Sequence, residues 1–287
     1  MISRLRTPAL CAAALGAATL GAQDLGKYTN FSVDGRTIQF HGFVSQGFGY
    51  SGGNNFLTMD TSEGSFSFTD GGINISAHLA DKLRVGAQVY DRKIGKLGAG
   101  KVYLDYALVD YRLKDWLGVR VGKVKTVCGL YTDTQDMESL HTWAIMPQAV
   151  YPLDLRSSNL AHTGADLYGA IPLKHAGSLG YTAYFGLKSD DTRSGWYYSN
   201  ADIGWPVKRI QGKMWGGDLR WITPVGLTLG ASFSEQRDHW DGWLTATNNE
   251  PYIYWTPGKW YGAAYVDYQR GSWHFSAEGI LLKITQW

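Results

Sequence analysis

The segment KLRVGAQVYDR, residues 82–92, decides the fold class, because its side chains alternate in character from one residue to the next. The apolar positions are Leu83, Val85, Ala87 and Val89, and the positions between them are Arg84, Gly86, Gln88 and Tyr90. A period of two is typical of a β-strand with two unlike faces. In a soluble sandwich the apolar face points into a core, whereas in a membrane barrel it points outward to lipid.

The composition narrows the classes of protein without choosing between these two. The 287 residues include 12 Trp, 18 Tyr and 36 Gly, and charged residues make up only 18%. The mean hydropathy of −0.23 excludes a helical membrane protein, and a net charge of +2 argues against nucleic-acid binding. Many aromatics and glycines with few charges fit short strands with an aromatic outer surface, or a secreted carbohydrate-binding sandwich.

The first residues resemble a secretory signal peptide, which we place at residues 1–23. Arg4 and Arg6 form a positive region, and the apolar run that follows, 9–22, is too short to span a bilayer. After removal of the signal, Cys128 is the remaining cysteine of the sequence, so no intramolecular disulfide is expected. The sequence therefore predicts an exported protein whose stability comes from hydrogen-bonded sheet.

After an expected mobile periplasmic leader at 24–35, the period of two recurs to the end of the chain. The predicted strands are 37–50, 65–79, 82–92, 102–113, 116–125, 163–172, 179–188, 211–223, 226–233, 260–269 and 273–282. In the second strand the apolar parity shifts at Gly71 and Gly72, which predicts a β-bulge there. The third of these strands is the segment quoted above. No segment combines a helical period with capping residues, so no helix is predicted.

The connections between the predicted strands alternate strictly in length. Short joins lie at 80–81, 114–115, 174–177, 224–225 and 270–271, and long joins lie at 51–64, 93–100, 126–159, 189–209 and 235–259. All short turns then fall at one end of the strands and all long loops at the other. This layout predicts an all-β, up-and-down antiparallel transmembrane barrel over residues 36–287, because a Greek-key sandwich would mix its connection lengths.

The two faces of the strands also favour a membrane barrel over a soluble protein. The apolar face carries almost no charge, while the other face mixes Arg, Asp, Gln, Ser, Thr and Gly. A soluble barrel needs bulky side chains to fill its interior, which this polar, glycine-rich face would not supply. We therefore expect Val85 to face lipid, and Arg84 and Gln88 to face a water-filled channel. A secreted, soluble β-rich protein that binds or hydrolyses carbohydrate stays as the alternative.

Several stretches resemble a family of Gram-negative outer-membrane porins that is distantly similar to phosphate-selective porins. They are FHGFVSQGFGYSGGNNFL (40–57), LADKLRVGAQVYDR (79–92), LDYALVDYRLKDWLGVRVGKVK (104–125), GLYTDTQD (129–136) and ITPVGLTLGASF (222–233). GKVKTVCGLY (122–131) resembles the Gly-x-x-Lys-x-Pro-x-Gly element of this group, with Val127 at the proline position and Cys128 at the following aromatic position. Residue roles in ligand specificity are therefore not carried over.

The resemblance implies a non-enzymatic, cofactor-free channel in the outer membrane for passive diffusion of small hydrophilic solutes or ions, with a homotrimer as a candidate assembly. The family is expected to have roughly sixteen strands, the size class that leaves an aqueous channel. Since about eleven are predicted here and single-chain barrels use an even number, we expect a C-terminally truncated sequence. The competing interpretation is a complete twelve-stranded barrel with a missed strand, such as 251–255.

The join 126–159 is the first candidate site, because it resembles the porin loop that folds into the lumen. Its charged residues are Asp133, Asp136, Glu138, Asp154 and Arg156, and the facing strands offer Arg84, Gln88, Arg92, Asp105, Arg120, Lys125 and Asp166 as pore-lining candidates. Opposed acids and bases across a constriction create a transverse field that orients polar solutes. The simpler alternative is that these charges solvate a wet wall and pair locally.

Other clusters carry weaker predictions. The aromatic runs 196–198 and 252–255 could form a sugar-stacking slide, but an aromatic girdle or an outer loop is the favoured interpretation. Asp238-His239-Trp240-Asp241 is a tight His/Asp cluster that would need further ligands to hold a metal, so neither a metal nor a catalytic site is predicted. Selectivity stays open, and a specific uptake channel for phosphate or a siderophore is the alternative to a general channel.

Overall fold

The computed structural model describes residues 30–33, 36–98, 100–135, 143, 145–243 and 252–286. The predicted signal peptide, 1–23, lies outside these residues, as does most of the predicted leader, 24–35. The part of the leader that is described, Asn30–Val33, forms a short strand paired with the start of the next one.

The described residues form one antiparallel sheet of 13 strands. The strands are β1 (Asn30–Val33), β2 (Arg36–Gly49), β3 (Ser65–Ala80), β4 (Leu83–Ile94), β5 (Tyr103–Lys114), β6 (Leu117–Lys125), β7 (Ala161–Pro172), β8 (Ser178–Ser189), β9 (Val207–Ile222), β10 (Leu227–Trp243), β11 (Tyr252–Trp255), β12 (Pro257–Arg270) and β13 (Trp273–Gln286). All strands except β11 form the wall of the sheet, in which each strand pairs with the next wall strand along the chain. The short β11 pairs only with the end of β10. The all-β, up-and-down antiparallel architecture is therefore confirmed.

The sheet is open in the described part of the chain, where no ladder joins β1 or β2 to β13. The predicted strand at 251–255 exists as β11, but it extends a hairpin and does not lengthen the wall. The expectation of further C-terminal strands concerns residues beyond this sequence and stays a prediction.

The two faces of the sheet are the reverse of those of a soluble protein. Apolar side chains are exposed along one face, for example Val44 at 82%, Val121 at 53% and Leu281 at 64% of their full accessible surface. Polar and charged side chains are buried on the other face, where Gln88 is 0% and Asp166 is 1% exposed. Since burying polar groups is costly unless they are paired, the polar face must be lined by hydrogen-bonding partners.

The predicted bulge at Gly71 and Gly72 is wrong. Both glycines lie in continuous register with β2 on one side and β4 on the other. The apparent parity shift arises because Phe68, near the loop end of β3, packs under a loop against Met59 and Ile94 and does not lie on the exposed apolar face. The face to which a hydrophobic side chain beneath a loop points is set by its contacts with that loop, and the period of two along the strand does not predict it.

One of the register shifts that the sheet does contain lies at Asp105 in β5. Gln88 pairs with Tyr106 and Val89 with Leu104, so Asp105 is the extra residue on its strand. Leu104 and Tyr106 therefore lie on opposite faces, although a strict period of two over 102–113 would place them on the same one, and the exposed apolar face continues through Val109. The bulge turns the Asp105 side chain to the polar face, where it is buried.

The expectation that the chain contains no helix is also wrong. Among the described residues, two short α-helices, α1 (Arg156–Asn159) and α2 (Gly195–Asp202), lie in long joins. The α2 helix has no side-chain cap and little apolar period, so its sequence gives no helical signal; it is held by packing of Tyr197 against Ile210 and Trp240. Within the described residues, no helix has the length and apolar character needed to cross a bilayer.

Candidate functional site

The segment after β6 crosses the polar face of the sheet, and its described residues, 126–135, 143 and 145–160, form what we call the bridging loop. Its Gly129 amide donates a hydrogen bond to Ser232 Oγ at 2.8 Å, and its Leu130 amide donates one to Glu278 Oε1 at 2.8 Å. Ser232 lies on β10 and Glu278 on β13, far from β6 in the strand order. The polar face is therefore concave, and the bridging loop spans it.

Glu278 is the main anchor of the bridging loop on the far wall. Besides Leu130, it accepts a hydrogen bond from the hydroxyl of Tyr151, which in turn accepts one from the Tyr131 amide at 2.8 Å. Burial and the adjacent Glu278 carboxylate raise the pKa of Tyr151, so its hydroxyl stays a neutral donor. Gly129 has a φ of +96°, and a Cβ there would overlap Glu278 Oε1, so this close approach requires glycine.

Asp133 brings the bridging loop's acidic charge close to basic groups of the wall. Burial raises the pKa of the Asp133 carboxyl, and the charges of Arg220, Lys125 and Arg120 act in the opposite direction. The charges of three predicted site residues, Asp133, Arg120 and Lys125, therefore interact electrostatically. Arg220 was missed as a site residue, although its place opposite the apolar positions of β9 could have revealed it.

Asp105 is the centre of a second cluster, in which four predicted site residues meet. It accepts hydrogen bonds from Gln88 Nε2 at 2.8 Å and Arg156 Nη2 at 3.0 Å, and Lys125 Nζ lies 3.7 Å away. The Arg156 guanidinium also lies over the Tyr90 ring, 4.1 Å from its centroid. Because Arg156 comes from the helix α1, this cluster fixes the end of the bridging loop to the near wall.

Asp166 lies beneath the bridging loop and is fully buried. It is 2.8 Å from His162 Nε2, and His162 Nδ1 is 3.0 Å from the hydroxyl of Thr126, the first residue of the loop. The His162 ring stacks on Tyr184 with centroids 5.0 Å apart. The predicted pore-lining residue Asp166 therefore positions the root of the loop and has no open surface.

Arg84 and Arg120 lie toward the short-turn end of the sheet. Arg84 is exposed and stands in register with Asp110. Arg120 Nε lies 3.5 Å from an Asp110 carboxylate oxygen, and its guanidinium is 4.0 Å from the centroid of the Tyr168 ring. These groups form a partly exposed, charged region of the concave face, on the short-turn side of the bridging loop.

The remaining predicted residues lie at the long-loop end or outside the described residues. Arg92 donates a hydrogen bond to the Leu153 carbonyl, so it also holds the bridging loop. Asp154 lies against the first residue of α2, Gly195. Asp136 and Glu138 lie outside the described residues.

A buried charge network at the long-loop end was missed by the sequence analysis. Lys188 Nζ lies 3.2 Å from Asp190 and 3.3 Å from Asp238, and Lys259 Nζ lies 2.8 Å from Asp238. Asp238 belongs to the cluster considered as a metal site, and the structure shows it in ion pairs. Within the part of the chain that is described, no three metal-ligating side chains group closely enough to hold an ion.

The aromatic run 196–198 lies in helix α2 of the long join after β8, which agrees with the loop interpretation and not with a sugar-stacking slide or a girdle. Trp196 and Tyr197 pack with Trp240 into a small apolar core, and Trp205 and Trp255 complete it. This core covers the buried charge network, since the Lys259 ammonium lies 5.1 Å from the centroid of the Trp240 ring. The contacts join residues from three separate segments, which no local pattern indicates.

Cys128 lies at the foot of the bridging loop and is buried. Burial raises the pKa of its thiol to about 12, so it is neutral at physiological pH. It borders a cavity of about 80 Å³ between the bridging loop and the far wall, together with Tyr151 and Tyr261. The site as a whole is a charged passage crossed by a loop that is fixed at both walls.

Comparisons with known proteins give similar solved structures but no sequence relatives. No family model and no curated protein matches the chain. The outer-membrane expressed OmpT of Vibrio cholerae is 10% identical with a TM-score of 0.31, and the match covers 90% of each chain. Salmonella typhi OmpF, in complex with daunomycin, is 11% identical with a TM-score of 0.33, covering 84% of this chain and 88% of that one. Both TM-scores are below 0.5, so these likenesses add nothing to the fold that the chain's own strands show.

Proposed function

We propose that this protein is an outer-membrane pore of a Gram-negative bacterium, through which small hydrophilic solutes diffuse passively and without catalysis. The observation that carries the proposal is the reversed sheet, with apolar side chains exposed on the convex face and polar side chains on the concave face. Contact with lipid is favourable for a sheet face covered by exposed apolar side chains, whereas contact with water is unfavourable. A soluble carbohydrate-binding or hydrolytic protein would bury these side chains.

The bridging loop is the constriction in this proposal. It crosses the concave face from β6 to β13 and is tied to both walls, through Asp105 on the near side and Glu278 on the far side. A solute moving along the concave face must pass it. Because the Asp133 carboxylate interacts electrostatically with the charges of Arg120 and Arg220, we expect a polar solute to cross a transverse field at this point.

Reconstitution of the full chain in planar bilayers tests the proposal. We expect stepwise conductance that increases linearly with voltage and salt, as for a general diffusion pore. Saturable block by one solute, such as phosphate or a siderophore, would support the alternative of a specific uptake channel. A protein that stays soluble without detergent, or that gives no conductance in the bilayer, would contradict both.

The far-wall anchor gives a prediction for pore size. We expect Glu278→Ala to increase the single-channel conductance, because the Leu130 amide and the Tyr151 hydroxyl lose their shared acceptor and the bridging loop is released. Losing hydrogen bonds to a charged acceptor should also destabilise the loop by about 1–3 kcal/mol. Conductance in planar bilayers is the measurement.

The matched control for the anchor is Glu235→Ala. Glu235 pairs with Arg237, an exposed side chain. Glu235→Ala removes the same carboxylate group from a strand without affecting the bridging loop. The conductance of this variant should therefore equal that of the wild type. Equal conductance of the Glu278 and Glu235 variants would show that the loop does not limit flow.

Asp133 gives a prediction for the pH dependence of ion selectivity. Because burial raises the pKa of Asp133, its carboxylate takes up a proton at a higher pH than a free aspartate does. As the pH falls through that raised pKa, the negative charge is lost while Arg120 and Arg220 keep theirs. We therefore expect the pore to become more anion-selective on acidification, measured as the reversal potential in a salt gradient.

The control for this titration is Asp133→Asn, which removes the charge at every pH. The variant should be more anion-selective than the wild type at neutral pH and should show a smaller change on acidification. A variant with the full pH dependence of the wild type would assign the titration to another group.

A further inference from the structure

The wall of the sheet has a lateral opening between β5 and β6. Their ladder runs from Lys114–Leu117 to Ala107–Lys123, and beyond it β5 pairs only with β4 and β6 only with β7. Gly122, which pairs with Leu108 one rung before the end of this ladder, has a φ of +127°, and a Cβ there would overlap the Ala107 carbonyl. Glycine therefore allows β6 to turn away from β5 at this point.

The opening is continuous with a cavity of about 410 Å³. Tyr90 and Arg156 border it from the concave side, and Leu104, Lys123 and Leu187 border it from the convex side. Leu104 is 47% and Leu187 is 54% exposed on the convex face. Since the cavity also reaches the segments that follow β4 and β8, it lies in the half of the sheet next to the long loops.

The charges around this cavity are unequal. Its acids are all engaged: Asp105 binds Arg156 and Gln88, Asp190 pairs with Lys188, and Asp191 accepts the Tyr103 hydroxyl at 2.7 Å. Three of its bases, in contrast, have no carboxylate within ion-pair distance among the described residues. They are Arg92, Lys101 and Lys123.

All three bases border the same cavity. Lys123 donates to the Leu104 carbonyl, which the end of the ladder leaves without a strand partner on that side. The Arg92 Nη1 atom is buried without a hydrogen-bond partner in the described structure. Lys101 lies at the edge of the cavity, with its ammonium 5.6 Å from the centroid of the Tyr103 ring. A phosphate would satisfy Arg92 and neutralise the excess of positive charge.

We propose that this lateral cavity binds the phosphate of a lipid head group from the leaflet on the long-loop side. The exposed Leu104 and Leu187 at its outer mouth fit the start of an acyl chain, which favours a lipid-borne phosphate over a free one. The orientation rests on the proposed membrane function, because it requires the convex face to contact lipid. A bound head group would also shield the unpaired backbone groups of β5 from the hydrocarbon.

Native mass spectrometry of the full-length protein in zwitterionic detergent tests this site. The probes are a short-chain phosphatidic acid, a phosphatidylcholine with the same chains, and inorganic phosphate. The test variant is Lys101→Gln/Lys123→Gln. The matched control is Lys283→Gln, which removes an exposed lysine from the convex face of β13, opposite Trp260 in register. A heat-modifiable shift on a gel shows that each variant is folded.

We expect the wild type to bind one phosphatidic acid in preference to phosphatidylcholine. The double variant should lose about tenfold in affinity for phosphatidic acid, as for two lost contacts with a charged group, and the control should not change. An unchanged affinity in the double variant, or an equal loss in the control, would overturn the site. Displacement of the lipid by an equal concentration of inorganic phosphate would overturn the lipid as its source.

The same variants separate this proposal from the pore. The double variant should keep the wild-type conductance in planar bilayers, because its lysines lie outside the passage crossed by the bridging loop. A protein that binds phosphatidic acid selectively but does not conduct would retain the lipid site and refute the pore.

Discussion

Val121→Arg is expected to lower the free energy of unfolding by about 2–4 kcal/mol in lipid vesicles. Val121 lies at the middle of β6 and is 53% exposed on the convex face. If this face contacts hydrocarbon, a guanidinium there must be desolvated or must pull water and head groups inward. Urea unfolding of the vesicle-inserted protein, followed by tryptophan fluorescence, is the measurement.

Val225→Arg is the matched control, because it makes the same substitution at a position that we expect to lie in water and not in lipid. Val225 lies in the short turn between β9 and β10 and is 59% exposed, close to the value for Val121. The same substitution at an equally exposed site in water should change the stability by about 0.5 kcal/mol or less. Equal effects at the two positions would mean that water surrounds both and would refute the membrane proposal.

Asp238→Asn is expected to cost about 3–5 kcal/mol, because it leaves an uncompensated positive charge in the interior. The Asp238 carboxylate contacts both Lys188 and Lys259, and all three side chains are almost fully buried. Without it, only Asp190 remains to balance two ammonium groups. Urea unfolding in the same vesicles measures the loss.

Two further variants decide whether charge balance is the cause. Adding Lys259→Met to Asp238→Asn leaves Lys188 paired with Asp190, so the double variant should be more stable than Asp238→Asn alone. Asp241→Asn removes a buried carboxylate whose partner, Arg209, is exposed, and it should cost about 1 kcal/mol or less. A double variant no more stable than Asp238→Asn would assign the loss to packing.

The sequence predicted the strands well because each is specified locally. The alternation in 82–92 and the strict order of short and long joins depend only on residues close in the chain, and every predicted strand overlaps an observed one. The reversed orientation of the faces was also predictable, since a polar, glycine-rich face cannot pack as a soluble core.

The features that were missed depend on contacts between distant segments. The bulge at Asp105 provides an acceptor for Arg156, which lies 51 residues further along the chain. The helix α2 forms because Tyr197 packs on Ile210 and Trp240, and its own residues give no helical period. Gln88, Asp105 and Asp166 are buried on the polar face, but their partners could not be predicted without the path of the bridging loop.

The bridging loop has a consequence for the order of assembly. Wall strands pair with the next wall strand along the chain, whereas the loop's hydrogen bonds to Ser232 and Glu278 join residues 103 and 148 positions apart. The loop therefore cannot reach its acceptors until β10 and β13 are in place, and it closes last. Contacts formed after the rate-limiting step govern how quickly a structure comes apart and have little effect on how quickly it forms. Glu278 thus contributes to the lifetime of the finished protein more than to the speed at which the wall is built.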